Sequence, residues 1–212
     1  MSTDPINKRL FCSDLHSFND PFESNLGLIF SESKGEISNL LQVYKSKEKI
    51  EKLKQKFLEN RVLSFTTNID SHLMWCHYAN AFTGIAIEFE LLKDSDIPEK
   101  VSYGQFVASM NESEVNPCWT EEEFESFRIR KTLLNKQYHW EYEDEYRIIT
   151  KDKFIPIKVT KVIMGFKIND NYKKNLELLC SPEALNIPLC ITGIGDEGID
   201  PDCYSPTNWY KK

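Results

Sequence analysis

Residues 83–90, T-G-I-A-I-E-F-E, alternate apolar and polar side chains with a period of two. At that spacing an extended strand places Ile85, Ile87 and Phe89 on one face, where a helix would scatter them. The same reading makes short strands of residues 10–12 and 62–67, and longer ones of residues 140–150 and 155–166. Helical spacing fills the gaps. Leu40, Leu41, Tyr44, Ile50, Leu53 and Phe57 recur roughly every three or four residues within 36–60, and further helices are expected over 71–80, 121–137 and 170–179. Asn68 and Asp70 supply turn and N-cap signals ahead of the second of these. Strands and helices interleave irregularly, and most strands alternate, whereas a doubly wound parallel sheet needs continuous apolar strands. The expected fold is α+β, with mostly antiparallel, strongly twisted sheet flanked by helices. It is expected to form a single domain over 1–212, loop-rich from 193 to 212.

Composition narrows the function classes. Apolar residues make up 41% of the chain and aromatics 12%, enough for a packed core. There are 26 Lys and Arg against 33 Asp and Glu, a net charge of −7. The broad basic surface that drives nucleic-acid binding is therefore lacking, and only a local basic groove could serve. The six cysteines, at 12, 76, 118, 180, 190 and 203, form no C-x-x-C pair, and the four histidines, at 16, 72, 77 and 139, form no H-x-x-x-H. Zinc is not expected. Residues 1–10 lack the apolar core of a signal peptide, and no apolar run nears the roughly 20 residues that span a bilayer. The expectation is a cytoplasmic protein with reduced thiols and no membrane partner. Gly193, Gly195 and Gly198 have G-x-G-x-x-G spacing but open no expected helix, so they are not read as a phosphate-binding loop, and the sequence contains no P-loop.

Three clusters combine polar and aromatic side chains. The first is F-N-D-P-F-E at 18–23, where Phe18 and Phe22 flank Asn19 and Asp20, with Glu23 following. It reads either as an Asx turn pinned by two hydrophobic anchors or as a loop that aims polar groups into a cleft. The second joins the strand S-F-T-T to the helix after it. Ser64 and Thr66 fall on one strand face, while Trp75 and Tyr78, three apart, share a helix face with His77 beside them. That is either a core helix with a satisfied histidine or an aromatic platform for a flat ligand such as a base or nicotinamide. The third is W-E-Y-E-D-E-Y-R at 140–147. As a strand it sends Glu141, Glu143, Glu145 and Arg147 to one face and Trp140, Tyr142, Asp144 and Tyr146 to the other. Such a row is either a solvated face or a set of crowded acids suited to acid/base work, one of them held ionised by Arg147. The clusters are expected to line one cleft at the sheet edge.

The order of motifs is specific. F-N-D-P-F-E at 18–23 is followed by M-W-C-H-Y-A at 74–79 with Gly84 and the strand I-A-I-E-F. Then come Lys136, Trp140, Glu143, Glu145 and Arg147 as K-x-x-x-W-x-x-E-x-E-x-R, and V-T-K-V-I-M-G-F at 159–166. Together they resemble, over most of the chain, a large bacterial family catalogued as domain of unknown function 2971. Members usually open with a strand such as L-Y-K-Y and a helix ahead of the L-F-C-S strand. Residues 1–10 offer no counterpart, so that first strand and its basic residue are expected to be missing.

A looser, fold-level likeness is to ADP-ribosyltransferase-type domains, in which a strand with S-x-T and an aromatic helix precede a strand with E-x-E. That likeness implies NAD as cofactor, held by Ser64, Thr66, Trp75, His77 and Tyr78. Glu143, Glu145 and Arg147 would act on the ribose as nicotinamide leaves, with Asn19, Asp20, Glu23 and Lys136 as further site candidates and no metal. The acceptor would be a protein or nucleic acid, or water in a glycohydrolase, and the setting a stress or phage-defence effector. Two other readings stay open. One is a Mg²⁺-dependent nuclease-like effector with Asp20, Glu143 and Glu145 on the metal and Lys136 assisting. The other is a non-catalytic interaction or sensor module that binds a partner protein, in which Glu143, Glu145 and Arg147 form a structural ion network holding the F-N-D-P-F-E turn.

Overall fold

The computed structural model describes residues 8–18, 47–104, 116, 118–195 and 198–202. The strands in chain order are β1 Arg9–Phe11, β2 Ser13–Asp14, β3 Arg61–Thr66, β4 Ile85–Leu91, β5 Glu99–Lys100, β6 Ser102–Gly104, β7 Asn135–Gln137, β8 Glu145–Thr150, β9 Phe154–Met164, β10 Leu189–Gly195 and β11 Gly198–Asp202. The helices are α1 Lys47–Leu58, α2 His72–Tyr78, α3 Glu121–Leu133 and α4 Asp170–Cys180. The fold is α+β and the pairing mostly antiparallel; β9 with β10 and β6 with β7 are parallel. The chain divides into two compact units, each assembled from separate stretches of sequence. Among the described residues no helix is long and apolar enough to cross a membrane.

One unit comprises Met1–Leu10, Thr66–Asp96 and Ile155–Lys212. Its sheet is ordered β1, β9, β10, β11, with β4 also pairing β9. Trp75, Ala79, Phe82, Ile163, Cys190 and Ile199 form one core cluster, and Val162, Met164, Cys180, Ile187 and Leu189 another. The alternation of residues 83–90 does build a strand, but the three apolar residues do not share a buried face. A bulge between Glu88 and Phe89 breaks the period, and Ile85 and Ile87 stand exposed. The turn after α2 carries three successive residues, Asn80, Ala81 and Phe82, at positive φ. Phe82 O then accepts from Lys167 N–H, and Gly84 O from Gly165 N–H. Gly165 allows this approach, since a Cβ there would sit 2.2 Å from the Phe82 carbonyl oxygen. The tail expected to be loop-rich from 193 holds the end of β10 and all of β11, paired from Ile191↔Asp202 to Gly195↔Gly198.

The other unit comprises Phe11–Phe65 and Ile97–Phe154. Its sheet is ordered β2, β3, β8, β5, so β8 is an interior strand, and β6 pairs β7 separately. The core joins Leu15, Leu53, Phe57, Val62, Phe124, Ile129 and Leu133. The α1 residues Leu53 and Phe57 recur at the expected spacing; the earlier part of that expected helix, 36–46, lies outside the described residues. α3 starts at a capping box, in which Thr120 Oγ1 accepts from the Glu123 N–H and the Glu123 carboxylate accepts from the Thr120 N–H. The helix expected to reach 137 ends at Leu133, and Asn135–Gln137 pair in parallel with Ser102–Gly104 instead. Sheet pairing has overridden helix propensity there.

Candidate functional site

Lys136, Glu143, Glu145 and Arg147 come together inside the second unit. The route differs from the expected continuous strand 140–150. Tyr138–Glu143 form a 3-10 turn, Asp144 takes a left-handed conformation (φ 44°, ψ 49°), and the strand begins only at Glu145. Aspartate tolerates that conformation better than most side chains, which is why the pattern of alternate residues breaks at it. The turn, not a strand pleat, sets Glu143 beside Glu145. Glu145 and Arg147 do follow strand alternation and share a face of β8.

Both carboxylates meet cations. Lys136 Nζ donates to Glu143 at 2.5 Å and to Glu145 Oε2 at 3.2 Å. Arg147 donates to Glu145 through Nε at 2.8 Å and Nη2 at 2.9 Å, and through Nη1 to the Leu133 carbonyl at 2.6 Å. That carbonyl lies in the last turn of α3, where helices leave acceptors unfilled and favour positive charge. Two aromatics flank the cations: the Trp140 ring lies 4.8 Å from Lys136 Nζ, and the Phe18 ring 5.2 Å from the Arg147 guanidinium carbon. All four charged residues are buried, with Glu143 and Arg147 each 2% exposed and Glu145 6%.

Burial alone would raise the Glu145 carboxyl. The charge and hydrogen bonds of Arg147 outweigh it, with help from Lys136 and a hydrogen bond from the Ser64 hydroxyl, and bring the group down to about 2. Ser64 itself is exposed on β3, the strand beside β8. The Glu145 backbone N–H donates to Tyr103 Oη at 2.8 Å. Burial and the nearby carboxylates push the Tyr103 phenol up to about 12, although its hydrogen bond from Glu145 acts the other way. Sequence spacing gave no signal for Tyr103 or for the Leu133 carbonyl. The first reaches the cluster through the β6–β7 pair, and the second is a backbone group.

The remaining candidates are distributed as follows. Thr66 ends β3, and its hydroxyl oxygen accepts from the Asn68 N–H. Asn68 in turn accepts from the Asp70 N–H, and Ser71, rather than either of those two residues, caps α2 by accepting from the Met74 N–H. Trp75 and Tyr78 do not present one platform: Trp75 is buried and Tyr78 exposed. The Trp75 ring stacks on Phe82 at an interplanar angle of 7° and its indole N–H donates to the Ile69 carbonyl. His77 is exposed beside Tyr78. Thr66, Trp75, His77 and Tyr78 belong to the first unit, and Ser64 and the charged cluster to the second. Asn19, Asp20 and Glu23 lie outside the described residues, as do Phe22 and the rest of the F-N-D-P-F-E turn after Phe18. Among the described residues no group of three or more His, Cys, Asp and Glu side chains is placed to hold a metal ion.

The arrangement can hold the Glu145 carboxylate ionised in a water-poor setting, pair Glu143 with Lys136, and fasten the end of α3 to the sheet. No curated protein and no solved structure matches the chain. Residues 74–148, which run from α2 through the charged cluster, match the model of the family described as Protein of unknown function (DUF2971), the family that the ordered motifs resemble.

Proposed function

We propose that the charged cluster is a structural keystone and that the chain acts as a non-catalytic interaction module. The observation that carries this reading is the pairing of charge inside the cluster: Lys136 and Arg147 face Glu143 and Glu145, and all four are buried. A catalytic carboxylate needs to reach its substrate with a lone pair to spare. Glu145 instead spends its oxygens on Arg147 and Lys136. The test is Glu145→Gln with and without NAD. The keystone reading expects a melting temperature lowered by several degrees and no nicotinamide release from either protein, since about 1 kcal/mol moves the midpoint of a chain this long by roughly 2–4 °C. A variant that keeps its melting temperature while losing a measurable NAD turnover would overturn it.

A second reading is ADP-ribosyl transfer or NAD hydrolysis, and it rests on the contact between the exposed Ser64 hydroxyl and the buried Glu145 carboxylate. That contact joins the S-x-T strand to the E-x-E segment, as a transferase-like layout requires. Nicotinamide release that persists in EDTA and needs both Ser64 and Glu145 would favour it over the keystone reading and over a Mg²⁺-dependent effector.

A further inference from the structure

We draw no further inference here: the strongest candidate, the edge of β4 where Ile85 and Ile87 stand exposed beside the buried Val162 and Met164 of β9, carries nothing because nothing in the structure shows what covers it.

Discussion

Arg147 grips the Glu145 carboxylate twice, through Nε at 2.8 Å and Nη2 at 2.9 Å. The two residues are neighbours on one face of an interior strand, so neither charge can turn to water. Removing one partner leaves the other charged and buried, which costs about 3–5 kcal/mol. Arg147→Met is therefore expected to lose about that much stability in urea denaturation. The double variant Glu145→Met with Arg147→Met removes one charge of each sign and leaves Lys136 paired with Glu143. Its loss should fall well below the sum of the two single losses. Additive losses would mean that the two side chains are not coupled.

Glu145 also fixes how stability responds to acid. Its carboxyl sits at about 2 in the folded chain against an ordinary value of 4.5. A depressed carboxyl stabilises the fold above its unfolded value, and that contribution is lost as pH falls from about 4.5 toward 2. The shift corresponds to about 3 kcal/mol. Unfolding free energy measured across this window should fall more steeply for the parent than for Glu145→Gln, which has no proton to gain there. Parallel curves would remove Glu145 from the account. Tyr103 acts on the alkaline side. Its phenol is raised to about 12, so its contribution is complete below about 10 and is lost as pH rises through 12. Tyr103→Phe should flatten that limb.

The motif that carries the site was legible because strand alternation and charge type travel together in Glu145 and Arg147. Lys136 was legible only as part of the ordered K-x-x-x-W-x-x-E-x-E-x-R run, since its place depends on α3 ending at Leu133. The extent of that helix was not legible: residues 134–137 carry no Gly or Pro to stop it, and the partner that draws Asn135–Gln137 into a strand is some thirty residues away in sequence. The three-residue spacing of Trp75 and Tyr78 suggested a shared face. Yet α2 has only seven residues, and the turn beyond it folds Phe82 back onto Trp75 and His72 while Tyr78 stays exposed. The bulge at Glu88 likewise leaves no composition signal. In each case tertiary packing decided what local periodicity left open.

Gly165 is expected to be intolerant of any side chain. A Cβ would lie 2.2 Å from the Phe82 carbonyl oxygen, a backbone atom already fixed by its bond from Lys167. Gly165→Ala should cost about 2–3 kcal/mol or more, as overpacking against rigid backbone does. Gly104→Ala is the control, because among the described residues, its chain neighbours apart, no atom lies within 4 Å of its Cβ position. That substitution should stay within about 0.5 kcal/mol. Equal losses in thermal denaturation would refute the close approach of the Phe82 turn to Gly165.

Asp144 is the hinge on which the site turns, because its left-handed backbone ends the 3-10 turn and starts β8. Its side chain contributes little beyond that, since the Lys100–Asp144 ion pair at 2.8 Å is partly exposed and such pairs give about 0–1 kcal/mol. Two substitutions separate backbone from charge. Asp144→Gly loses the ion pair but adopts positive φ freely, so its stability should change by no more than about 1 kcal/mol. Asp144→Val loses the same ion pair and is β-branched, which adds about 1–3 kcal/mol of backbone strain. Lys136 helps to hold the Glu145 carboxyl down, so a valine variant whose distorted turn shifts Lys136 should also lose part of the acid-dependent stability that Glu145 provides. Equal behaviour of the glycine and valine variants would show that the left-handed conformation at Asp144 does not hold the cluster in place.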